Sequence, residues 1–182
     1  MQRVYIGEVQ KSTFHDKDSW VQVILERVHS DVCEPLSIAS MTKHKYYVIF
    51  VDDFSHKCWI LFMQKKDQMF SKFCEFKALV VKDTGRKVKA LWSDNDGEYE
   101  SNEFNNLCAS EGIRWELITP HNPKKNGVDE RKNKTIVGDA WAMLHDQGLL
   151  LHLWVESWNT IIYVQNKSPH RILKMSTPKE SF

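Results

Sequence analysis

Residues Lys45-Tyr46-Tyr47-Val48-Ile49-Phe50-Val51-Asp52-Asp53-Phe54-Ser55-His56-Lys57-Cys58-Trp59-Ile60-Leu61-Phe62-Met63-Gln64 hold two aromatic and β-branched runs, 45–54 and 57–64. Asp53-Phe54-Ser55-His56 separates them, which predicts a β-hairpin. Upstream, residues 24–33 read as another strand. Downstream the period changes: Met69, Phe70, Phe73, Phe76, Leu79 and Val80 recur at helical spacing over 67–82, and Gly85 stands where a left-handed stop is needed. Then follow a short strand (Val88–Trp92), a short helix (Ser101–Glu111, capped by Ser101 or Asn102 and ended by Gly112) and a strand (Ile113–Ile118). A loop with two prolines (Thr119–Asn126) leads to a helix over Gly127–Gln147. A second helix over Leu150–Asn166 carries Trp154, Trp158 and Ile162 on one face. The order β-β-β-α-β-α-β-α-α implies an α/β fold, a mixed sheet with helices on its faces. Strands covered on both sides must be short and apolar, as the later ones are.

A chain of 182 residues is about one domain. Hydrophobic residues at 42% and charged residues at 27% give a globular balance and exclude a disordered chain. The net charge is +1, so any basic surface must be local. Cys33, Cys58, Cys74 and Cys108 form no CxxC pair and read as reduced core thiols of an intracellular protein. The first residues lack the apolar core of a secretory signal, and no run approaches the ~20 apolar residues that span a bilayer, so no membrane partner is expected. Residues 1–22 are polar and irregular and read as an arm; 23–182 read as the domain.

Three acids stand out: Asp31 inside the first strand, Asp94 where the Val88–Trp92 strand runs out, and Glu130 in the first turn of a long helix. Ligand sites in open α/β sheets lie at the carboxyl ends of strands. Should the three carboxylates converge, they cannot all ionise without a cation. Mg²⁺ or Mn²⁺ would supply it, with two such ions about 3.5–4 Å apart suiting phosphoryl transfer. Singly, each acid has a plainer reading. Asp94-Asn95-Asp96-Gly97 suits a turn, Glu130 and Lys134 suit an i,i+4 ion pair, and Asp31 suits a backbone contact.

The strings around these acids resemble the catalytic core of copia-type (Ty1/copia) retrotransposon integrases, in the retroviral integrase superfamily. The carrying residues are Val28-His29-Ser30-Asp31-Val32-Cys33, Phe50-Val51-Asp52-Asp53-Phe54-Ser55, Trp92-Ser93-Asp94-Asn95, Gly97-Glu98-Tyr99, Pro123, Asn126-Gly127-Val128 and Glu130-Arg131-Lys132-Asn133. Ala142-Met143-Leu144, Trp154 and Glu156 complete the set. Thirty-five residues separate Asp94 from Glu130, the D,D-35-E spacing of the superfamily. The resemblance implies an RNase H-like fold, a five-stranded mixed sheet flanked by helices. It implies Asp31, Asp94 and Glu130 as the catalytic metal ligands, and DNA integration as the activity. Asp52 and Asp53 then belong to the second strand with a structural role. A homo-oligomer on DNA and a nuclear rather than cytoplasmic site of action are also implied.

Residues 121–135 carry Lys124, Lys125, Arg131, Lys132 and Lys134 against Asp129 and Glu130, a basic excess beside the proposed site. Lys124, Lys125, Asn126, Arg131, Asn133 and Lys134 are the candidate DNA contacts, meeting phosphates with little sequence preference. Trp115 and His121 read as packing or loop residues before base-stacking ones. The sequence also departs from the family pattern at Glu34, His56, Asp96, Asp129 and Trp141. Tyr5 and Glu8 stand at the Cys positions of the zinc module that precedes such cores, so no structural zinc is expected and residues 1–22 are its remnant. The chain is therefore expected to be a fragment or relic of such an element. The alternative to an active transferase is a non-catalytic domain that binds DNA or protein through the same surface.

Overall fold

The computed structural model describes residues 21–33, 35–93, 99, 101–117 and 129–182, with the side chains of 129–133 excepted. Its strands are β1 (Val28–Val32), β2 (Tyr46–Asp52), β3 (Cys58–Met63), β4 (Ala90–Ser93) and β5 (Arg114–Leu117). Its helices are α1 (Met69–Thr84), α2 (Asn102–Glu111), α3 (Asp129–Asp146), α4 (Trp154–Lys167) and a single turn, α5 (Pro178–Ser181). The five strands form one mixed sheet in the order β3-β2-β1-β4-β5. The hairpin runs antiparallel from Tyr46↔Met63 to Val51↔Cys58. The β1 strand is central, antiparallel to β2 and parallel to β4.

Strand alternation sends successive side chains to opposite faces, and each face is covered. On one, Val28, Val32, Val48, Phe50 and Leu91 pack with Phe73, Phe76 and Val80 of α1 and Phe104 and Cys108 of α2. The Phe50 ring stacks on Phe76 at 4.2 Å. Each fully buried side chain of this kind stabilises the fold by about 1.5–3 kcal/mol before ordering costs. On the other face, Tyr47, Ile49, Val51 and Ile60 pack with Ile136, Ala140 and Leu144 of α3 and Trp154, Trp158 and Ile162 of α4. Ile136, Ala140 and Leu144 recur every four residues, one stripe of the helix. The helices themselves join where Trp141 meets Trp158 edge-on at 5.1 Å and Ser157 Oγ donates to the Ala140 carbonyl at 2.8 Å.

Local differences from the sequence reading have physical causes. The first strand starts at Val28 rather than residue 24, because Leu25 takes φ 62°, outside the extended region. Its amide donates to Asp52 Oδ1 at 2.7 Å, which holds the chain in a turn there. Leu79 is 41% exposed, since Met69, Phe73, Phe76 and Val80 already make the buried stripe of α1. The outer edge of β3 is closed at Cys58, whose N–H donates to Asn166 Oδ1 at 2.9 Å while Asn166 Nδ2 donates to its carbonyl at 2.8 Å. The four cysteines are free thiols, Cys58 and Cys108 buried. Among the described residues, no helix is long and apolar enough to cross a membrane.

Candidate metal and nucleic-acid site

The β1 strand is the centre of the candidate site because it sits mid-sheet with both faces covered. Four of its five residues are buried, and Asp31 is the half-buried exception. It lies opposite Ile49 of β2. Alternation puts position 31 on the sheet face that α3 and α4 cover. Asp31 is also among the charges felt by Tyr47 on that face. Burial pushes the Tyr47 phenol far above its ordinary range, and the nearby Cys33 and Asp31 charges add to the rise. A neutral phenol thus borders the strand where Asp31 sits.

The parallel pairing of β1 with β4 runs Val28↔Leu91, His29↔Trp92 and Ser30↔Ser93. Asp31 follows Ser30 on β1, and Asp94 follows Ser93 in the sequence. Asp94 itself lies outside the described residues, as do Lys124, Lys125, Asn126 and His121. Glu130, Arg131 and Asn133 belong to the opening turns of α3, and their side chains are likewise outside the described part. Lys134 is described, exposed on α3. Of the three proposed ligands, only the Asp31 side chain is therefore described. Among the described residues no three His, Cys, Asp or Glu side chains form a metal-sized group.

The neighbouring acids do other work. Asp52 is fully buried at the far end of β2. It accepts from the Leu25 amide, and from the Ser55 amide at 2.8 Å and Ser55 Oγ at 2.7 Å. Burial outweighs these hydrogen bonds and raises its pKa. Asp53 pairs with Arg27 at 3.1 Å and with His29 Nε2 at 3.5 Å. Burial pushes its carboxyl up, but the His29 hydrogen bond and the His29, Arg27 and His56 charges hold it below the ordinary value. Both are structural residues of the turn end, away from Asp31. Trp115 packs against the α1/α2 layer and donates from Nε1 to Ser93 Oγ at 2.9 Å.

Tyr99, named in the sequence only as part of the Gly97-Glu98-Tyr99 string, is buried at 2% exposure, and its hydroxyl shares a hydrogen bond with Ser30 Oγ. The pairing itself gave no local signal, because the partner lies 69 residues away.

The integrase core domain family matches residues 25–123, more than half of the chain. The chain is 43% identical over 173 residues to the retrovirus-related Pol polyprotein from transposon TNT 1-94 of Nicotiana tabacum, covering 95% of this chain and 13% of that polyprotein. It is 29% identical over 174 residues to the corresponding polyprotein from transposon RE2 of Arabidopsis thaliana, covering 96% and 12%. The chain thus spans about an eighth of the length of these relatives. Among solved structures, it superposes on a chain of the simian T-cell lymphotropic virus intasome in complex with PP2A regulatory subunit B56 gamma. There the TM-score is 0.69 and the identity 18%, covering 96% of this chain and 59% of that one. It also superposes on the HTLV-2 integrase catalytic core domain in complex with magnesium, with a TM-score of 0.63 and 18% identity, covering 87% and 97%. At that identity the structures speak for the RNase H-like fold. The chain is thus similar to Pol polyproteins of copia-like retrotransposons, and sequence motifs, sheet order and matched residues agree that it belongs to the integrase core domain family.

Proposed function

We propose that this chain is a metal-dependent polynucleotidyl transferase core acting on DNA, with Asp31, Asp94 and Glu130 as its ligands. The observation that supports the reading is the Ser30↔Ser93 register, because Asp31 and Asp94 each follow one member of that pair in the sequence. The position of Glu130 adds to it. It lies in the first turn of α3, and later residues of that helix, Ile136 and Ala140, pack on the face to which Asp31 belongs. Hard carboxylate oxygens suit Mg²⁺ or Mn²⁺. When bound, such ions polarise phosphoryl oxygens and acidify an attacking hydroxyl.

The protein's own part is positioning. Asp31 sits in the central strand of a sheet packed on both faces, so little reorganisation is needed at the moment of reaction. Lys124, Lys125, Asn126, Arg131, Asn133 and Lys134 would meet the phosphates beside it. The reaction has two stages: water trims the ends of element DNA, and the exposed 3′-hydroxyl then attacks a target phosphodiester in line. No covalent enzyme intermediate forms. Assembly as a homo-oligomer on DNA and action in the nucleus belong to the same reading.

The test is strand transfer on a branched DNA substrate with Mn²⁺, comparing the wild type with Asp94→Asn and Glu130→Gln. Product is expected from the wild type alone. Equal signal from all three proteins would remove the enzymatic reading and leave a DNA- or protein-binding domain.

A further inference from the structure

The surface where α4 passes into α5 has no part in the site described above. No Asp or Glu occurs between Glu156 and Glu180. Lys167, Arg171, Lys174 and Lys179 fall in that interval, and all four are exposed. Glu180, the next acid, is engaged in capping, where its carboxylate accepts from the Thr177 amide at 2.9 Å. In a chain of net charge +1 this is a concentrated cationic surface.

The loop that carries it is closed on itself. The His170 amide donates to the Ser176 carbonyl at 3.0 Å, and the Lys174 amide to the Arg171 carbonyl at 3.2 Å. Lys174 and Met175 take left-handed conformations, at φ 52° and 73°, which are uncommon outside glycine. Ile172 and Met175 stand out from the loop at 63% and 67% exposure. At its foot on α4, the Tyr163 ring is 60% exposed. Lys167 Nζ donates to the Tyr163 hydroxyl and lies 4.1 Å from the ring centre. The Lys167 hydrogen bond, and the charges of Lys167 and Lys179, hold the phenol below its ordinary pKa. Both feet of the loop thus bring a cation to the same ring. The His170 ring lies 4.9 Å from His56 in the β2–β3 turn. That turn is at the end of the sheet where β1 begins, whereas Asp31 lies toward the end where β1 finishes.

Cations and exposed apolar side chains together select among polyanions. Duplex phosphates ask chiefly for charge. A single strand also offers unstacked base faces, which pack on aromatic and apolar side chains beside a cationic track. We propose that the exposed ring of Tyr163 and the cations of the α4–α5 loop form a second nucleic-acid surface, one that takes single-stranded DNA. DNA as the polymer follows the proposed function, but the metal ligands have no role in this surface.

The experiment uses the whole chain in EDTA, so that its outcome is independent of strand transfer. Fluorescence anisotropy follows oligothymidylate, a duplex and oligouridylate of equal length. Tyr163→Ala is expected to weaken oligothymidylate binding about tenfold and duplex binding by less than about threefold. Tyr163→Phe, which keeps the ring, should bind as the wild type does. Replacing Lys167, Arg171 and Lys174 together by alanine should lower the salt slope for oligothymidylate by about 2. Ultraviolet cross-links to oligothymidylate should map to the peptide holding Tyr163. Equal weakening of duplex and single strand by Tyr163→Ala, an unchanged salt slope, or cross-links confined to residues 121–135 overturns the proposal. Tighter binding of oligouridylate, polyglutamate or phosphatidylserine vesicles than of oligothymidylate overturns it too.

Discussion

Three aspartates on β1, at the end of β2 and in the turn after it meet three different fates, and each fate follows from its surroundings. Asp52 has no solvent contact and spends its oxygens on the Leu25 and Ser55 donors. In Asp52→Ala two backbone amides would lose their acceptor inside the fold, so chemical denaturation should show a loss of about 2–4 kcal/mol. The variant would also free Leu25 from its positive-φ turn. Asp53 is partly exposed and ion-paired, with its pKa depressed. A depressed carboxyl adds stability above its unfolded pKa, and that contribution fades as pH falls through the folded value. The protein should therefore lose stability on acidification below about pH 4, and Asp53→Asn should flatten that limb of a melting-temperature profile. Asp52, with a raised pKa, acts in the opposite sense: its contribution is present at low pH and lost as pH rises through the folded value. Asp31 alone of the three is half-buried on the central strand, and a ligand role there is compatible with the sheet's packing.

The helices and strands follow the period of the sequence closely, with departures at their ends. Ser101 caps α2 through a 3.1 Å hydrogen bond from the Phe104 amide, and Gly85 and Gly112 end α1 and α2 in left-handed conformations, as the sequence suggested. The turn α5 was legible but went unread: Thr177-Pro178-Lys179-Glu180 is a capping box with proline in the first turn. What no local pattern carried is the long-range pairing. Asn166 reaches Cys58 across 108 residues and Tyr99 reaches Ser30 across 69. Such contacts depend on the assembled sheet, not on periodicity. The proposed site rests chiefly on its motif strings, because isolated acids are chemically ambiguous. In α3, Gly138 is exposed and a Cβ added there would meet nothing within 4 Å. Gly138→Ala should raise stability by about 1 kcal/mol in thermal or urea unfolding.

Charge is spread unevenly over the molecule as a whole. A net charge of +1 conceals the five cations and two acids of residues 121–135. Association with duplex DNA should accordingly weaken steeply with salt, and each phosphate contact removed should lower the slope of log K against log salt by about 0.9. Lys134→Ala should show that single-contact drop in fluorescence anisotropy, with little sequence preference. At the far end of the sheet, the side-chain amide of Asn166 takes both hydrogen-bonding groups of Cys58 that a neighbouring strand would otherwise occupy. One residue thereby occupies the first position of that edge strand, where a foreign strand would otherwise pair. The guard at the start of that edge is thus supplied from a helix terminus rather than from within the sheet itself.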